Sequence, residues 1–235
     1  MISAITEIGC VVIGIGAAIA AVMLRPSEDE AQSRMQTAGA AGERRVARAL
    51  DRARIPAVHD VTIRDPQGTR QIDHVAAAGD CLFVIETKTW RGDLRGFPDR
   101  PQWTLSKPGR APVPVYNPIM QNATHVQVIE GVTRAPVRSI VLMAGHARIP
   151  GGLQEPMMPL AGAIMRLTQA GPATARAVAA LAAIEAIKQD DGQTALAGRH
   201  VRRMRAMKLT RSQNLWALAG GAGAAFVWLM ITHPT

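Results

Sequence analysis

The chain has 235 residues, a formal net charge of +9 and two cysteines, Cys10 and Cys81. That length allows one domain with appendages, and the two distant cysteines suggest neither a disulfide framework nor a zinc site. The basic surplus does not by itself indicate nucleic acid, because much of it lies in one run near the C-terminal end.

Residues 8–24 hold 17 positions without a charge, and residues 212–232 hold 21. A helix needs roughly 20 apolar residues to cross about 30 Å of hydrocarbon. Both ends are therefore expected as transmembrane helices, over residues 1–25 and 212–232. The first lacks the basic residues that open a cleaved signal, and it leaves Glu7 at an interface within reach of water. In the second, Trp216 and Trp228 lie near opposite ends, and Gly220, Gly221 and Gly223 permit close helix contact in lipid. Six basic residues and no acid occupy residues 199–211. The positive-inside tendency then predicts a two-pass protein of the cell membrane, its middle cytoplasmic and both termini outside. The lipid bilayer is an expected partner of the basic segment.

Between the spans, residues 26–41 read as a juxtamembrane linker that can be partly helical, 42–150 as the main domain and 151–198 as a helical extension. Gly42 opens a predicted helix in which Val46, Ala49, Leu50 and Ala53 form one apolar stripe. Glu43 falls on that inward stripe. A first-turn acid suits the helix dipole, but its inward direction also suits a site. Residues 57–63, 70–78 and 81–90 read as three strands, separated by turns at Asp65-Pro66-Gln67-Gly68 and Gly79-Asp80. Side chains alternate along a strand, so Leu82, Val84, Glu86 and Lys88 share a face. The hairpin places Asp73 opposite or diagonal to Glu86.

Further on, Trp103 belongs to a short strand, whereas Pro112 and Pro114 argue against a central one. Asn117 can cap a helix that begins at Pro118, and Gln121, His125 and Val128 share one of its faces. Residues 138–144 read as a buried strand with His146 as a loop histidine. Helices are predicted over 160–169 and 173–189. There is no internal repeat and no phosphate-cradling glycine loop.

Two carboxylates and an ammonium at one sheet end can be an ordinary salt-bridged edge, and Glu-x-Lys alone is a common tripeptide. The same groups also suit phosphodiester hydrolysis, which needs charge neutralisation at the phosphate and an activated water. Magnesium prefers oxygen ligands and keeps several waters. Asp73 and Glu86 could hold it with the Thr87 carbonyl as a third ligand, since two neighbouring carboxylates favour a cation between them. Lys88 could orient or deprotonate the water and stabilise charge on the phosphate. Glu43 could reach the ion through water.

"GERRVARAL", "QIDHV", "FVIETKTW" with a following "RG", "QW" and "NPIMQNATH" occur in that order. Together, from about Gly39 to about Ile149, they resemble the nuclease-related domain family, often called NERD. That family is similar to the PD-(D/E)XK nucleases. The resemblance implies a restriction-endonuclease-like α/β fold, a mixed sheet flanked by helices. It implies a nuclease using magnesium or manganese, with nucleic acid, DNA before RNA, as partner. It places the first acid on Glu43, the metal-binding Asp on Asp73 and the Glu-x-Lys on Glu86 and Lys88. Gln71, Trp90, Asn117, Gln121, Asn122 and His125 match polar or supporting positions, and Arg91 opens a basic loop suited to phosphate contact. The chain departs from the family in carrying Thr87 and Thr89 around the Lys and "AAAGD" in place of a longer apolar strand. A non-catalytic module binding nucleic acid or protein is the second reading. A homo-oligomer is left open.

Overall fold

The computed structural model describes residues 28–65, 68–149, 152 and 155–189. Its elements in chain order are α1 (Glu28–Arg52), β1 (Ala57–Asp65), β2 (Gly68–Ala78), β3 (Cys81–Lys88), β4 (Arg91–Arg95), β5 (Gln102–Ser106) and β6 (Val113–Tyr116). There follow α2 (Pro118–Thr133), β7 (Val137–Met143), β8 (His146–Arg148), β9 (Met157–Pro159), α3 (Leu160–Gln169) and α4 (Ala175–Gln189).

The strands form two sheets, a five-stranded one in the order β1-β2-β3-β7-β9 and a four-stranded one in the order β6-β5-β4-β8. β1, β2 and β3 are an antiparallel meander, and β7 then joins β3 in parallel after a crossover through α2. β3 is apolar nearly throughout because both its faces are covered. One face packs Val75, Leu82 and Val84 against Ile129 of α2 and Ile184 of α4. The other packs Phe83, Ile85 and Ile140 against Val46 and Leu50 of α1 and Leu167 of α3. The result is the mixed sheet flanked by helices that a restriction-endonuclease-like fold requires.

The membrane part of the expected architecture is corrected. Among the described residues no helix is long and apolar enough to cross a membrane. The fold of the described residues is thus the mixed α/β domain alone, and the expected two-pass cell-membrane placement finds no spanning helix among them. Residues 8–24 and 212–232, on which that expectation rested, and the basic run 199–211 lie outside the described residues.

α1 begins at Glu28, well before the expected start at Gly42. Its first half lacks an apolar stripe, so periodicity could not reveal it, although Glu, Ala and Gln are good helix formers. It ends in a Schellman motif: Arg54 is left-handed at φ 55°, Ile55 N–H donates to Leu50 O, and Arg54 N–H donates to Asp51 O. α2 is capped as expected, with Asn117 Oδ1 accepting from Ile119 N and Met120 N and Pro118 in the first turn. The three-residue strands β8 and β9 are too short for a periodic signal, and His146 lies in β8 opposite Arg91. β6, with Pro114, is the edge strand of the small sheet, where a missing N–H is tolerated.

Two parallel neighbours pass from one sheet to the other together. β3 runs on through Thr89 and Trp90 into β4, and β7 runs on through Ala144 and Gly145 into β8. β3 pairs with β7, and β4 with β8, both in parallel. The seam is held by Ala144 N–H and Gly145 N–H, which both donate to Lys88 O at 2.9 and 3.2 Å.

Candidate active site

The regular pairing of β2 with β3 runs from Ala78 opposite Cys81 to His74 opposite Ile85. The next pair in that register is Asp73 and Glu86. There the ladder gives way to a side-chain contact: Thr87 N–H donates to Asp73 Oδ2 at 2.8 Å. Since Lys88 O faces β7 and peptide groups alternate sides along a strand, the peptide groups of Thr87 face Asp73. This lies at the C-terminal end of β3, where open α/β sheets commonly hold ligands.

Glu86 is 3% exposed and is surrounded by donors from its own strand and from α2. Its Oε1 accepts from Lys88 Nζ at 2.6 Å and from Gln121 Nε2 at 2.8 Å. Lys88 Nζ also donates to Gln121 Oε1 at 3.0 Å, so the three side chains close a ring. Glu86 Oε2 lies 3.3 Å from His125 Nδ1. Neither atom has a hydrogen-bond partner, so this contact is electrostatic and leaves one buried carboxylate oxygen without a directed donor. The Lys88 ammonium sits 5.4 Å from the Trp90 ring centroid, close enough for a cation–π attraction.

The acids of the site are driven apart in their ionisation. Burial pushes Glu86 up, but His125 and Lys88 together outweigh it and hold the carboxyl below its ordinary range. Burial and then the Glu86 charge push Asp73 up to about 8. Glu43, on α1 and half-buried, is raised by burial, then by Asp60 and Glu86. α1 is held close to this corner, because a Cβ on Gly42 would sit 2.2 Å from Thr89 Cγ2.

Other expected residues have structural roles. Asn117 ties down a loop as well as capping α2, its Nδ2 donating at 2.8 Å to both Pro98 O and Arg100 O. Asn122 Nδ2 reaches Val84 O, Ser139 Oγ and Ile140 O at 3.0, 2.7 and 3.1 Å, joining α2 to β3 and β7. Gln71 is exposed and donates to Asp60 Oδ1 at 2.8 Å. Arg91 is exposed at the start of β4.

Sequence reading missed Asp60 and the histidine pair beside it. Asp60 has a left-handed φ of 53° and interrupts β1 where Asp73 lies across from it, between the pairs His59–His74 and Val61–Ile72. The signal was present in "VHDV", where buried Val58 and Val61 stand three apart and break the period of two. His59 Nδ1 and His74 Nδ1 are 2.9 Å apart. Burial lowers His59, and burial and then His59 lower His74 to about 3, so both rings are neutral near pH 7, one donating to the other.

Among the described residues no three His, Cys, Asp or Glu side chains converge to hold an ion by themselves. The donors do suit a hydrated magnesium or manganese ion, which one or two carboxylates and several waters satisfy. Glu86 offers an oxygen without a hydrogen-bond donor, and the mutual repulsion that raises Asp73 is what a cation relieves.

Residues 38–144 match the nuclease-related domain family. An uncharacterised protein of Bacillus anthracis is 33% identical over 114 residues, covering 47% of this chain and 53% of that protein. The chain thus spans about half the length of that curated relative. No solved structure matches.

Proposed function

We propose, from the premise that residues 38–144 are a nuclease-related domain, that the chain hydrolyses phosphodiester bonds in nucleic acid, DNA before RNA. The observation that supports this most is the Asp73–Glu86–Lys88 corner. A buried acid, Glu86, and a half-buried one, Asp73, of opposite pKa displacement meet at one strand end with an ammonium locked beside them. Pairs of titratable groups pushed apart in this way mark acid–base sites.

Asp73 and Glu86 are the side chains that would hold a divalent ion, with the Thr87 carbonyl beside them. When bound, magnesium or manganese neutralises phosphate charge and lowers the pKa of its water. Lys88 has three ammonium hydrogens, and two are engaged by Glu86 and Gln121. The third is free for the attacking water or a phosphate oxygen, where a fixed donor stabilises developing charge. Water oxygen bonds to phosphorus as it gives up a proton to solvent, the ester P–O bond breaks, and the departing alkoxide takes a proton from solvent. Gln121 and His125 keep Glu86 from turning away, and Glu43 adds negative potential from α1.

The test is the full chain on linear, circular and single-stranded DNA with magnesium, beside Lys88→Ala and Glu86→Ala. Cleavage that needs the metal and is lost in both folded variants is expected. Nucleic-acid binding without turnover, unchanged by either substitution, would replace the enzyme with a non-catalytic binding module.

A further inference from the structure

The small sheet has one face in the core and one in solvent. Leu94, Trp103 and Leu105 pack inward against Val141, Met143 and Met157. The alternate positions face out, and the register sets Arg95, Thr104 and Pro114 in one row and Gln102 and Tyr116 in another. The only acid of β4–β6 and β8 is Asp93, which Arg148 neutralises through bonds of 2.8 and 2.9 Å, so Arg91 and Arg95 leave this face positive.

Two aromatic rings stand out at the Arg95 end: Phe97 is 70% exposed and Tyr116 53%. Neither is on a loose segment. Trp103 Nε1 donates to Phe97 O at 2.8 Å, the Asn117 side chain clasps Pro98 O and Arg100 O, and Asn117 N–H donates to Pro101 O at 2.9 Å. Gly96 lies so close to the Trp103 ring that a Cβ there would be 2.1 Å from it. The loop backbone is thus fixed while Phe97 itself stays mostly exposed. A large apolar side chain left mostly in water on a fixed backbone gains little for folding, but it suits a flat, π-faced ligand.

Resting on the nuclease reading, we propose that the outer face of the small sheet is a platform for a single-stranded segment of the substrate. Phe97 and Tyr116 stack on unpaired bases, and Arg91 and Arg95 meet phosphates. The chain links the platform to the site at two points. Arg91 is three residues after Lys88, and Tyr116 is five before Gln121, which holds Lys88. Single strands are bound by this combination of a basic track and stacking rings, whereas a closed duplex offers no free base faces along its length.

The experiment is fluorescence anisotropy of the full chain with a labelled single-stranded DNA oligonucleotide in EDTA, compared with the same length of duplex and of abasic strand. Phe97→Ala and Tyr116→Ala, checked for unchanged thermal melting, are each expected to weaken single-strand binding about five- to hundred-fold. They should leave duplex and abasic-strand binding within about two-fold, and Phe97→Trp and Tyr116→Trp should retain affinity. Variants that bind the single strand like wild type, or that lose all three ligands equally, overturn the platform. Lys88-dependent cleavage with no aromatic effect would overturn this inference and leave the nuclease reading standing. The expected binding pattern without any cleavage would do the reverse.

Discussion

Gln121 accepts the Lys88 ammonium at 3.0 Å while donating to Glu86 Oε1 at 2.8 Å, so a residue of α2 sets the geometry of a pair on β3. It is a positioning residue. Lys88→Ala is expected to lower cleavage by about two to three orders of magnitude, and Gln121→Leu by about ten-fold. In the Lys88→Ala background Gln121→Leu should cost less than that, because only its bond to Glu86 Oε1 is left to lose. Single-turnover rates of the four proteins decide this, and additive losses would show that Gln121 acts elsewhere.

Asp73 links metal uptake to pH. In the metal-free protein its folded pKa, about 8, lies above the ordinary value of 3.8. The stability tied to its protonated form is therefore complete below about pH 4 and lost as pH rises through 8. A divalent ion binds the ionised form, so magnesium should raise the melting temperature more at pH 8.5 than at pH 5. Asp73→Asn should flatten both dependences in thermal melts, and an unchanged pH slope in that variant would contradict the assignment.

His74 works in the opposite sense. Its folded pKa, about 3, lies below the ordinary 6.5, so its neutral form stabilises the fold above about pH 6.5. That contribution is lost as pH falls toward 3. His74→Gln is expected to lose stability near pH 7 but to show a shallower loss between pH 6 and 4. Urea midpoints across that range measure it.

Asn122 joins α2 to the backbones of β3 and β7 from a fully buried position. Asn122→Ala strands buried carbonyls and should cost about 2–3 kcal/mol. Urea unfolding with an unchanged slope is the measurement.

Glycines at two places should respond oppositely to alanine. A Cβ on Gly145 would lie 2.2 Å from Trp90 O, whereas one on Gly131 meets nothing within 4 Å. Gly145→Ala is expected to cost about 1–3 kcal/mol through overpacking and to lower cleavage by shifting Trp90. Gly131→Ala, in an exposed part of α2, should stabilise by about 0.5–1 kcal/mol. Thermal melts of both variants separate the two cases.

The hairpin of β2 and β3 was legible because period two is a local property: once the turn at Gly79 is placed, the facing of Glu86 and Lys88 follows. The cap at Asn117 and the Gln121–His125 face were legible for the same reason, as offsets within one helix. Asp60 was not, because its part in the site depends on a left-handed residue that shifts the side-chain facing of β1 within an unbroken register with β2. The first half of α1 lacks the apolar stripe that reveals a helix. The apolar stretches at the ends suggested membrane helices by length and hydropathy alone, and no described helix has those properties. The exposure of Phe97 depends on the Asn117 and Trp103 hydrogen bonds, which no local pattern encodes.

The paired crossing of β3 and β7 into β4 and β8 has a mechanical outcome. One connection would let the small sheet pivot like a flap on a cord, but two side-by-side connections, laced together at Lys88 O, resist both swing and twist. Whatever rests on the small sheet is therefore delivered to Lys88 at a set distance and angle, as by a jig rather than a gate.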